Sequence, residues 1–426
     1  MGNIVKLLVR QNRLKSSLVN KIDYWATALH LNRCVWYIRC RALLMERRYR
    51  FWREHYHSIA RSQSDGCSLE HLVPDIRKRV AVKTPVAAKS VGEIHTLAFM
   101  PMISWHEQLL TGLSALGPVS ILDCCTPGDL DADLVGNDSP SRLNDGGAAV
   151  LDRIYKIHQQ HPIDWIFFYT TGEDISPEFL QTIHDNVGVP LVNMCLDFKH
   201  SWAGISLGPH FSGQKSLVNL FDLSWTTSRT TCEWIAAEGG RPVYLPEGTN
   251  ATNLFPVKTN RDIDVSFIGQ NYGYREGLVR YLQKNGIKVQ AYGRGWINGP
   301  LPESRIPEIL NRSKICLGMG GIGFSEQITN LKNRDFDIPM CGGGLYVTSY
   351  NAELALHFNI GKEIVCYKGR DELLELIRYY LVHEDEAAEI AAAGRARCLA
   401  EHTWFHRYVK ICEIIGLLPA AEVGMK

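Results

Sequence analysis

The sequence lacks the features that would place it in a membrane or in an oxidising compartment. No stretch approaches the roughly 20 apolar residues that span a bilayer. The N-terminus has basic residues but no apolar signal-peptide core and no small-residue cleavage site. The twelve cysteines are scattered without any C-x-x-C pair, which predicts reduced thiols rather than a disulfide framework. Together these absences predict a cytoplasmic protein.

A strong net charge and a metal-binding motif are lacking too. The formal net charge is +1, so the average composition predicts no nucleic-acid partner. No carboxylate pair of the D-x-D kind is placed at the end of a predicted strand, so no metal and no other cofactor is predicted.

The balanced charge conceals a basic N-terminal arm. Residues 1–61 hold thirteen Lys and Arg residues but only three Asp and Glu residues. Residues 3–61 contain no proline and carry apolar residues at helical spacing, so they are predicted to be helical. One hypothesis is that the arm binds the inner face of an anionic membrane. The alternative is a helical hairpin packed on the first lobe or on a second subunit. Residues 62–92 hold breakers and are predicted to be a linker.

Beyond residue 93, short apolar runs alternate with amphipathic segments. This alternation predicts parallel sheets built from βαβ units. The pattern restarts near residues 250–260, which predicts an α/β protein of two Rossmann-like lobes with a ligand in the cleft between them. The predicted divisions are a basic helical extension and linker over 1–85, a first lobe over 90–255, and a second lobe with C-terminal helices over 260–426.

Two glycine-containing turns of the second lobe are candidates for binding phosphate. Gly269 and Gln270 follow a predicted strand, and Arg275 lies in the first turn of the next helix. Backbone N–H groups in such a turn, the helix dipole and a guanidinium all favour a diphosphate. Arg294 lies between two glycines at the end of the next predicted strand. The alternative is a tight turn with a surface arginine.

A glycine-rich stretch over 318–344 supplies the other candidates. Arg334 and Asp337 are three residues apart on a predicted helix, so both face one way. The arginine can neutralise nucleotide phosphates and the carboxylate can hold ribose hydroxyls, whereas the alternative is an intrahelical ion pair. Gly342 and Gly343 close this helix, where glycine permits a left-handed cap.

The first lobe offers candidates for the acceptor side. His106 follows the first predicted strand beside Trp105, and Asp197 ends another strand. His106 could act as a general base, whereas the alternative is a half-buried histidine that only packs.

Several segments carry a resemblance to a known family. The most specific are RDFDIPMCGGGLYVTSYNAEL (334–354) and the run over 361–407, with SFIGQNYGYREGLVRYL (266–282) upstream. They resemble the C-terminal domain of glycosyltransferases of the CgeB, or spore-maturation, type, a branch of the group-1 transferases with the GT-B fold. LDFKHSW (196–202) and LPEGTN (245–250) of the first lobe are compatible with it. The resemblance covers roughly residues 95–410.

The resemblance implies metal-independent transfer of a sugar, with retention of configuration, from a nucleotide-sugar co-substrate to a glycan or lipid-linked acceptor. It implies a donor site on the second lobe, an acceptor site on the first lobe and a hexosyltransferase-like role in cell-surface polysaccharide biosynthesis. Relatives place a glutamate where Asp337 stands, and many have a second glutamate where Thr329 stands. Glu326 is therefore a candidate catalytic residue together with His106 and Asp337.

Two other functional classes stay open at this point. One is a nucleotide-sugar epimerase or phosphorylase on the same two-lobed fold. The other is a degenerate member that binds nucleotide or serves as a scaffold without catalysis.

Overall fold

The computed structural model describes residues 35–60, 68–83, 86–101, 106–123, 147–204 and 212–419. Within these ranges, two helices precede the first sheet: α1 (Val35–Ala60) and α2 (Leu69–Lys83). Two parallel sheets follow, each covered by helices, so the fold has the two α/β lobes that the sequence predicts.

The first lobe contains a six-stranded parallel sheet in the order β2-β1-β3-β4-β5-β6. Its strands are β1 (Thr96–Met100), β2 (Val119–Asp123), β3 (Trp165–Phe168), β4 (Leu191–Cys195), β5 (Leu223–Thr226) and β6 (Pro242–Tyr244). Its helices are α3 (His106–Ser114), α4 (Gly147–Gln160), α5 (Pro177–Val187), α6 (Phe198–Ser201) and α7 (Arg229–Ala237).

The second lobe contains a five-stranded parallel sheet in the order β11-β10-β9-β7-β8. Its strands are β7 (Ile263–Ile268), β8 (Val289–Tyr292), β9 (Ser313–Leu317), β10 (Leu345–Ser349) and β11 (Val365–Tyr367). The helices are α8 (Arg275–Lys284), α9 (Ile306–Arg312), α10 (Arg334–Cys341), α11 (Arg370–Tyr380), α12 (Glu384–Glu401) and α13 (Trp404–Ile415).

Local sequence signals account for these elements. Every residue of β1, β3, β4 and β5 is buried, as expected for parallel strands covered on both faces. In α5, the Ser176 hydroxyl accepts a hydrogen bond from the backbone N–H of Phe179, Pro177 occupies the first turn, and Gly188 ends the helix with φ +73°. Serine, proline and glycine at these three positions are the residues that helix ends favour.

The helices α2 and α13 both pack into the core of the first lobe. Leu72 and Ile76 of α2 and Trp404 and Tyr408 of α13 belong to the same apolar cluster as Trp225 of β5. The structure therefore differs from the predicted linker and lobe division. Within residues 62–92, apolar residues at helical spacing form a helix despite Pro74, and α13 returns from the second lobe to the first.

The described part of the N-terminal arm packs on both lobes. At one end of α1, the Tyr37 ring meets Phe324 of the second lobe edge-on, with 5.9 Å between the centroids. At the other end, Tyr56 is fully buried and accepts a hydrogen bond from Trp202 Nε1 of the first lobe (3.1 Å). Residues 35–60 thus pack on both lobes, whereas the alternative given by the sequence was a hairpin packed on the first lobe or on a second subunit. No described helix is long and apolar enough to cross a membrane.

Candidate active site

The loop after β9 of the second lobe contacts the carboxyl end of β4 of the first lobe, so the two lobes meet at these strand ends. In the second lobe, the strand order reverses between β7 and β9; in the first, it reverses between β1 and β3. Ligands of open α/β sheets bind at these switch points, beyond the carboxyl ends of the strands. The loop after β7 contains Gly269 and the loop after β9 contains residues 318–333, so two of the sequence-predicted segments meet at one switch point.

Close backbone contacts shape this switch point. Gly273 has φ +58°, and a Cβ there would lie 2.7 Å from the carbonyl oxygen of Gly323. The backbone N–H of Asn271 donates to the carbonyl of Arg294 (2.8 Å), and Trp296 Nε1 donates to the carbonyl of Gly269 (2.8 Å). Only glycine fits at position 273, where the two loops touch.

Two arginines converge on this switch point. Arg275 opens α8 and is buried, with its guanidinium carbon 4.0 Å from the Tyr272 ring centroid and 5.5 Å from the Phe267 centroid. Arg334 opens α10, and its guanidinium carbon lies 5.4 Å from the same Phe267 centroid. Arg275 Nε and Arg334 Nη1 are buried without a hydrogen-bond partner in the described structure, and among the described residues neither arginine forms an ion pair.

The two guanidinium groups affect each other electrostatically. Burial, reinforced by the charge of Arg334, lowers the pKa of Arg275 to about 10, so this side chain is still charged at neutral pH. Two cations with unused donors and no ion pair among the described residues are suited to a doubly charged ligand, although Asp335 and Asp337 on α10 also feel the charge of Arg334. A diphosphate could accept hydrogen bonds from both guanidinium groups.

A lysine that the sequence analysis did not single out joins the lobes. Lys332 Nζ lies 3.2 Å from Asp197 Oδ1, at the carboxyl end of β4. Lys199 Nζ donates to the carbonyl of Thr329 (2.8 Å), and the Asn330 amide donates to the carbonyl of Leu196. Burial raises the pKa of Asp197, but attraction by Lys332 more than offsets it, so the net pKa lies below the ordinary value. Asp197 thereby links the carboxyl end of β4 to the second lobe.

Asp337 lies at the junction of the lobes. Thr249 Oγ1 of the first lobe donates to Asp337 Oδ1 (2.6 Å), and Asn333 Nδ2 donates to Oδ2 (2.9 Å). Asn333 also donates to Gln108 of α3 (3.1 Å). Burial raises the pKa of Asp337 to about 7. Both carboxylate oxygens are thus already hydrogen-bonded within the protein, and a ribose would have to compete with those donors.

Two further buried acids near the cleft were missed by the sequence analysis. Glu247 follows β6, and burial raises its pKa well above the ordinary value, although Lys332 opposes the shift. Asp335 is buried, accepts from the Tyr346 hydroxyl (2.5 Å) and from the backbone N–H of Lys332 (2.7 Å), and thereby fixes the start of α10. A single acidic residue after a short strand, or in the first turn of a helix, gives no sequence signal that it will be buried near the cleft.

The remaining predicted residues do not all gather at the cleft. His106 opens α3 beside the first-lobe switch point, two residues before Gln108, whereas Trp105 lies outside the described residues. Glu326 is exposed on the loop after β9, near Arg370. Arg294 is exposed, and its backbone carbonyl rather than its side chain contacts the Gly269–Gln270 turn region.

The glycines Gly342 and Gly343 lie at the end of α10 opposite Arg334. A Cβ on Gly342 would meet the Arg395 side chain at 3.0 Å, and a Cβ on Gly343 would meet the backbone of Asn311 at 2.6 Å. These glycines permit close packing of α10 on its neighbours. The geometry therefore gives them a structural role and leaves the donor side of the cleft to the residues at the start of α10.

Two further features bear on the site: possible metal ligands and a cavity at the edge of the second lobe. Among the described residues, no group of three or more His, Cys, Asp or Glu side chains is arranged to hold a metal ion. A cavity of about 530 Å³ lies beside β8 and α8, with Asn271 and Trp296 in its wall. Its wall includes Glu276 but neither Arg275 nor Arg334, so the paired arginines do not line this cavity.

Comparison with known proteins agrees with this architecture. Residues 275–413 match a family described as glycosyl transferase-like. The fold is similar to that of sucrose-phosphate synthase from Thermosynechococcus elongatus, with a TM-score of 0.53, 12% identity, and coverage of 75% of this chain and 98% of that chain. It is also similar to Anabaena Alr3699/HepE, crystallised with UDP-glucose, with a TM-score of 0.52, 14% identity, and coverage of 76% and 100%.

The chain has the GT-B fold. No curated protein matches the sequence. The family match covers the lobe that contains Arg275 and Arg334, so the fold and the match together support a group-1-like glycosyltransferase. In this GT-B chain, the paired arginines occupy the switch point of the matched lobe.

Proposed function

We propose that this GT-B protein is a hexosyltransferase of the CgeB type. It transfers a sugar from a nucleotide-sugar donor to a glycan or lipid-linked acceptor of cell-surface polysaccharide biosynthesis, with retention of configuration and without a metal. The observation that carries the proposal is the pair Arg275 and Arg334, two cations without an ion-pair partner among the described residues, in the lobe that matches the glycosyl transferase-like family. UDP-glucose bound to the similar Anabaena protein supports a nucleotide-sugar donor.

The paired arginines suit the charge that develops during transfer. As the bond between sugar and diphosphate breaks, negative charge builds up on the leaving oxygen atoms. Donors that are fixed before the reaction stabilise that charge without any cost of reorganisation. Arg275 is held by its own hydrogen bond to the carbonyl of Gln270 (2.8 Å) and by the Tyr272 ring, so its position is set in advance.

The acceptor is proposed to approach from the first lobe. His106 and Asp197 follow β1 and β4 of the first lobe, and Asp197 pairs with Lys332, two residues before Arg334 in the sequence. In this proposal, His106 is the candidate base for the acceptor hydroxyl, and Lys332 positions Asp197 through their ion pair.

Incubation with labelled nucleotide-sugars tests the proposed activity. Thermal shift with a panel of nucleotide-sugars comes first, because a donor at 100 times its dissociation constant adds about 2.7 kcal/mol to the free energy of unfolding. The stabilising donor is then incubated with and without membrane and glycan extracts. Acceptor-dependent release of nucleotide supports transfer, whereas conversion of the donor alone would show an epimerase. Failure of every nucleotide-sugar to stabilise the protein would contradict the proposal.

Removal of divalent metal is expected to leave transfer intact. If the guanidinium groups of Arg275 and Arg334 supply the positive charge at the diphosphate, no metal is needed there. The measurement is the initial rate in excess EDTA, with added magnesium or manganese as the comparison. A complete loss of activity that either metal restores would show that the arginines are insufficient.

The outer face of α1 is proposed to bind an anionic membrane. Trp36 and Leu43 are 73% and 65% exposed, and Leu44 and Phe51 are exposed on the same side. The further side chains on this face are Arg39, Arg47, Arg50 and Glu54. Each basic residue near an anionic surface contributes about 1 kcal/mol, and exposed aromatic side chains suit the interface.

Sedimentation with vesicles checks this surface. The full chain should sediment with phosphatidylserine vesicles at low salt and release as salt rises, because the Debye length falls to about 8 Å at physiological ionic strength. The triple variant Arg39→Gln, Arg47→Gln, Arg50→Gln should lose binding. The matched control Lys258→Gln, Lys284→Gln, Lys288→Gln removes equal charge from exposed positions elsewhere and should keep it. Equal binding by both variants would contradict the assignment.

A further inference from the structure

The inner face of α1 brings arginines to the mouth of the cleft. Arg41 and Arg48 are seven residues apart, so they lie on one face about two turns from each other. The guanidinium carbon of Arg41 lies 5.4 Å from the ring centroid of Phe324 in the second lobe. Arg48 Nη2 donates to the carbonyl of Gly204 in the first lobe (3.0 Å). The two arginines therefore contact different lobes, Arg41 the second and Arg48 the first.

The position of these arginines is fixed by packing on either side of the cleft. Between them, Glu46 accepts from the hydroxyl of Ser325 (2.6 Å), and Met45 lies against Gly323 of the same loop. Further along the helix, the stacked Tyr56 and Trp234 rings fasten α1 to the first lobe, with centroids 5.8 Å apart. A helix anchored at both ends holds its inward cations in place.

Positive charge accumulates around His200 on α6. Burial lowers the pKa of His200, and Arg48, Lys332 and Arg41 lower it further, whereas Asp197 raises it. His200 lies one helical turn after Asp197, whose carboxylate is paired with Lys332. The charges of Arg41, Arg48 and Lys332 all act on this histidine. Arg48 keeps contact with solvent, although the surrounding protein lowers the pKa of its guanidinium. An anionic group at this position would be attracted by Arg41 and Arg48 together.

We infer that Arg41, Arg48 and His200 form a subsite for an anionic group, a phosphate or a carboxylate, carried by the acceptor. The inference rests on the proposed function in one respect: the anionic group is assigned to the acceptor because the subsite borders the end of β4, beside Asp197, from which the acceptor is proposed to approach. It is separate from the diphosphate site: Arg275 and Arg334 lie at the β7–β9 switch point, whereas His200 follows β4. The arm thereby restricts the acceptor to anionic glycans or lipid-linked sugars.

Thermal shift with small anionic sugars tests the subsite. The probes are glucose 6-phosphate for a phosphate and glucuronate for a carboxylate, with glucose as the neutral control and ionic strength matched throughout. At saturation, at least one anionic probe should raise the melting temperature by about 2 °C or more, and glucose should not. The response, measured against the variant's own melting temperature without probe, should persist in the double variant Arg275→Ala, Arg334→Ala, because that variant lacks both guanidinium groups of the diphosphate site.

Variants on two faces of the same helix locate the response. Arg41→Gln with Arg48→Gln should abolish it, whereas Arg47→Gln with Arg50→Gln, which removes equal charge from the outer face, should keep it. The double variant Arg41→Lys, Arg48→Lys retains the positive charge, so it should keep part of the rise in melting temperature caused by the probe. It is the variant to measure if the glutamine variant is too unstable to test. No shift with either anionic probe, or a shift that the inner-face variant leaves unchanged, overturns the subsite. Binding of these probes without binding of any nucleotide-sugar would refute the proposed transferase and leave the anion subsite standing.

Discussion

Replacing either Arg275 or Arg334 by alanine should lower kcat/KM for sugar transfer more than about tenfold. Such a loss corresponds to about 1.4 kcal/mol of transition-state stabilisation. The physical reason is that both guanidinium groups are fixed at one switch point with unused donors, so each meets charge that develops on the leaving diphosphate. The measurement is steady-state kinetics with the donor identified by thermal shift.

A matched variant on the same helix distinguishes charge at the site from charge in general. Arg280 lies on α8, is exposed and pairs with Glu276 at 2.5 Å, so Arg280→Ala should change kcat/KM less than about twofold. Because Arg275 is buried, the melting temperature of each variant must also be measured. Unchanged turnover in both Arg275→Ala and Arg334→Ala would contradict the assignment of the donor site.

The fold could be predicted because each of its main elements has a local signal. Fully apolar runs such as the one around Phe167 predict buried parallel strands, and Ser176, Pro177 and Gly188 mark the ends of a helix. The positions of Gly269 and Arg275 also follow from local sequence, since a strand end and a helix start fix them. For these residues, the place in the fold follows from neighbours that are close in the sequence.

The remaining part of the site depends on contacts between distant segments. Lys332 meets Asp197 over a separation that no helical or strand spacing encodes. Asp337 was predicted to face a ribose, but Thr249 of the other lobe holds one of its oxygens. The helix around Pro74 was hidden by its proline, because the burial of Ile76 and Leu72 against α13 appears only in the folded chain. Tertiary packing outweighs the local propensity in these places.

The stability of the protein should decrease as pH rises from about 4 to about 7, in a way that Asp337→Asn removes. Burial is the main cause that raises the pKa of Asp337 from 3.8 to about 7, despite hydrogen bonds from Thr249 and Gln108. In this window, the folded state binds a proton that the unfolded state releases, so stability falls with rising pH. Each pH unit in the window costs at most about 1.4 kcal/mol.

Two variants make this prediction specific, because only one of them should change the pH dependence of stability. The melting temperature of Asp337→Asn relative to the wild type should be higher at pH 8 than at pH 5, because the amide has no proton to lose. Asp197 has a lowered pKa, so it is ionised in both states between pH 5 and pH 8, and the difference for Asp197→Asn should not change across that range. Its stabilising contribution is lost only as pH falls through the folded pKa, below the ordinary value. If Asp337→Asn differs from the wild type equally at pH 5 and pH 8, then Asp337 is ionised throughout, and its hydrogen bonds to both lobes outweigh the cost of its burial.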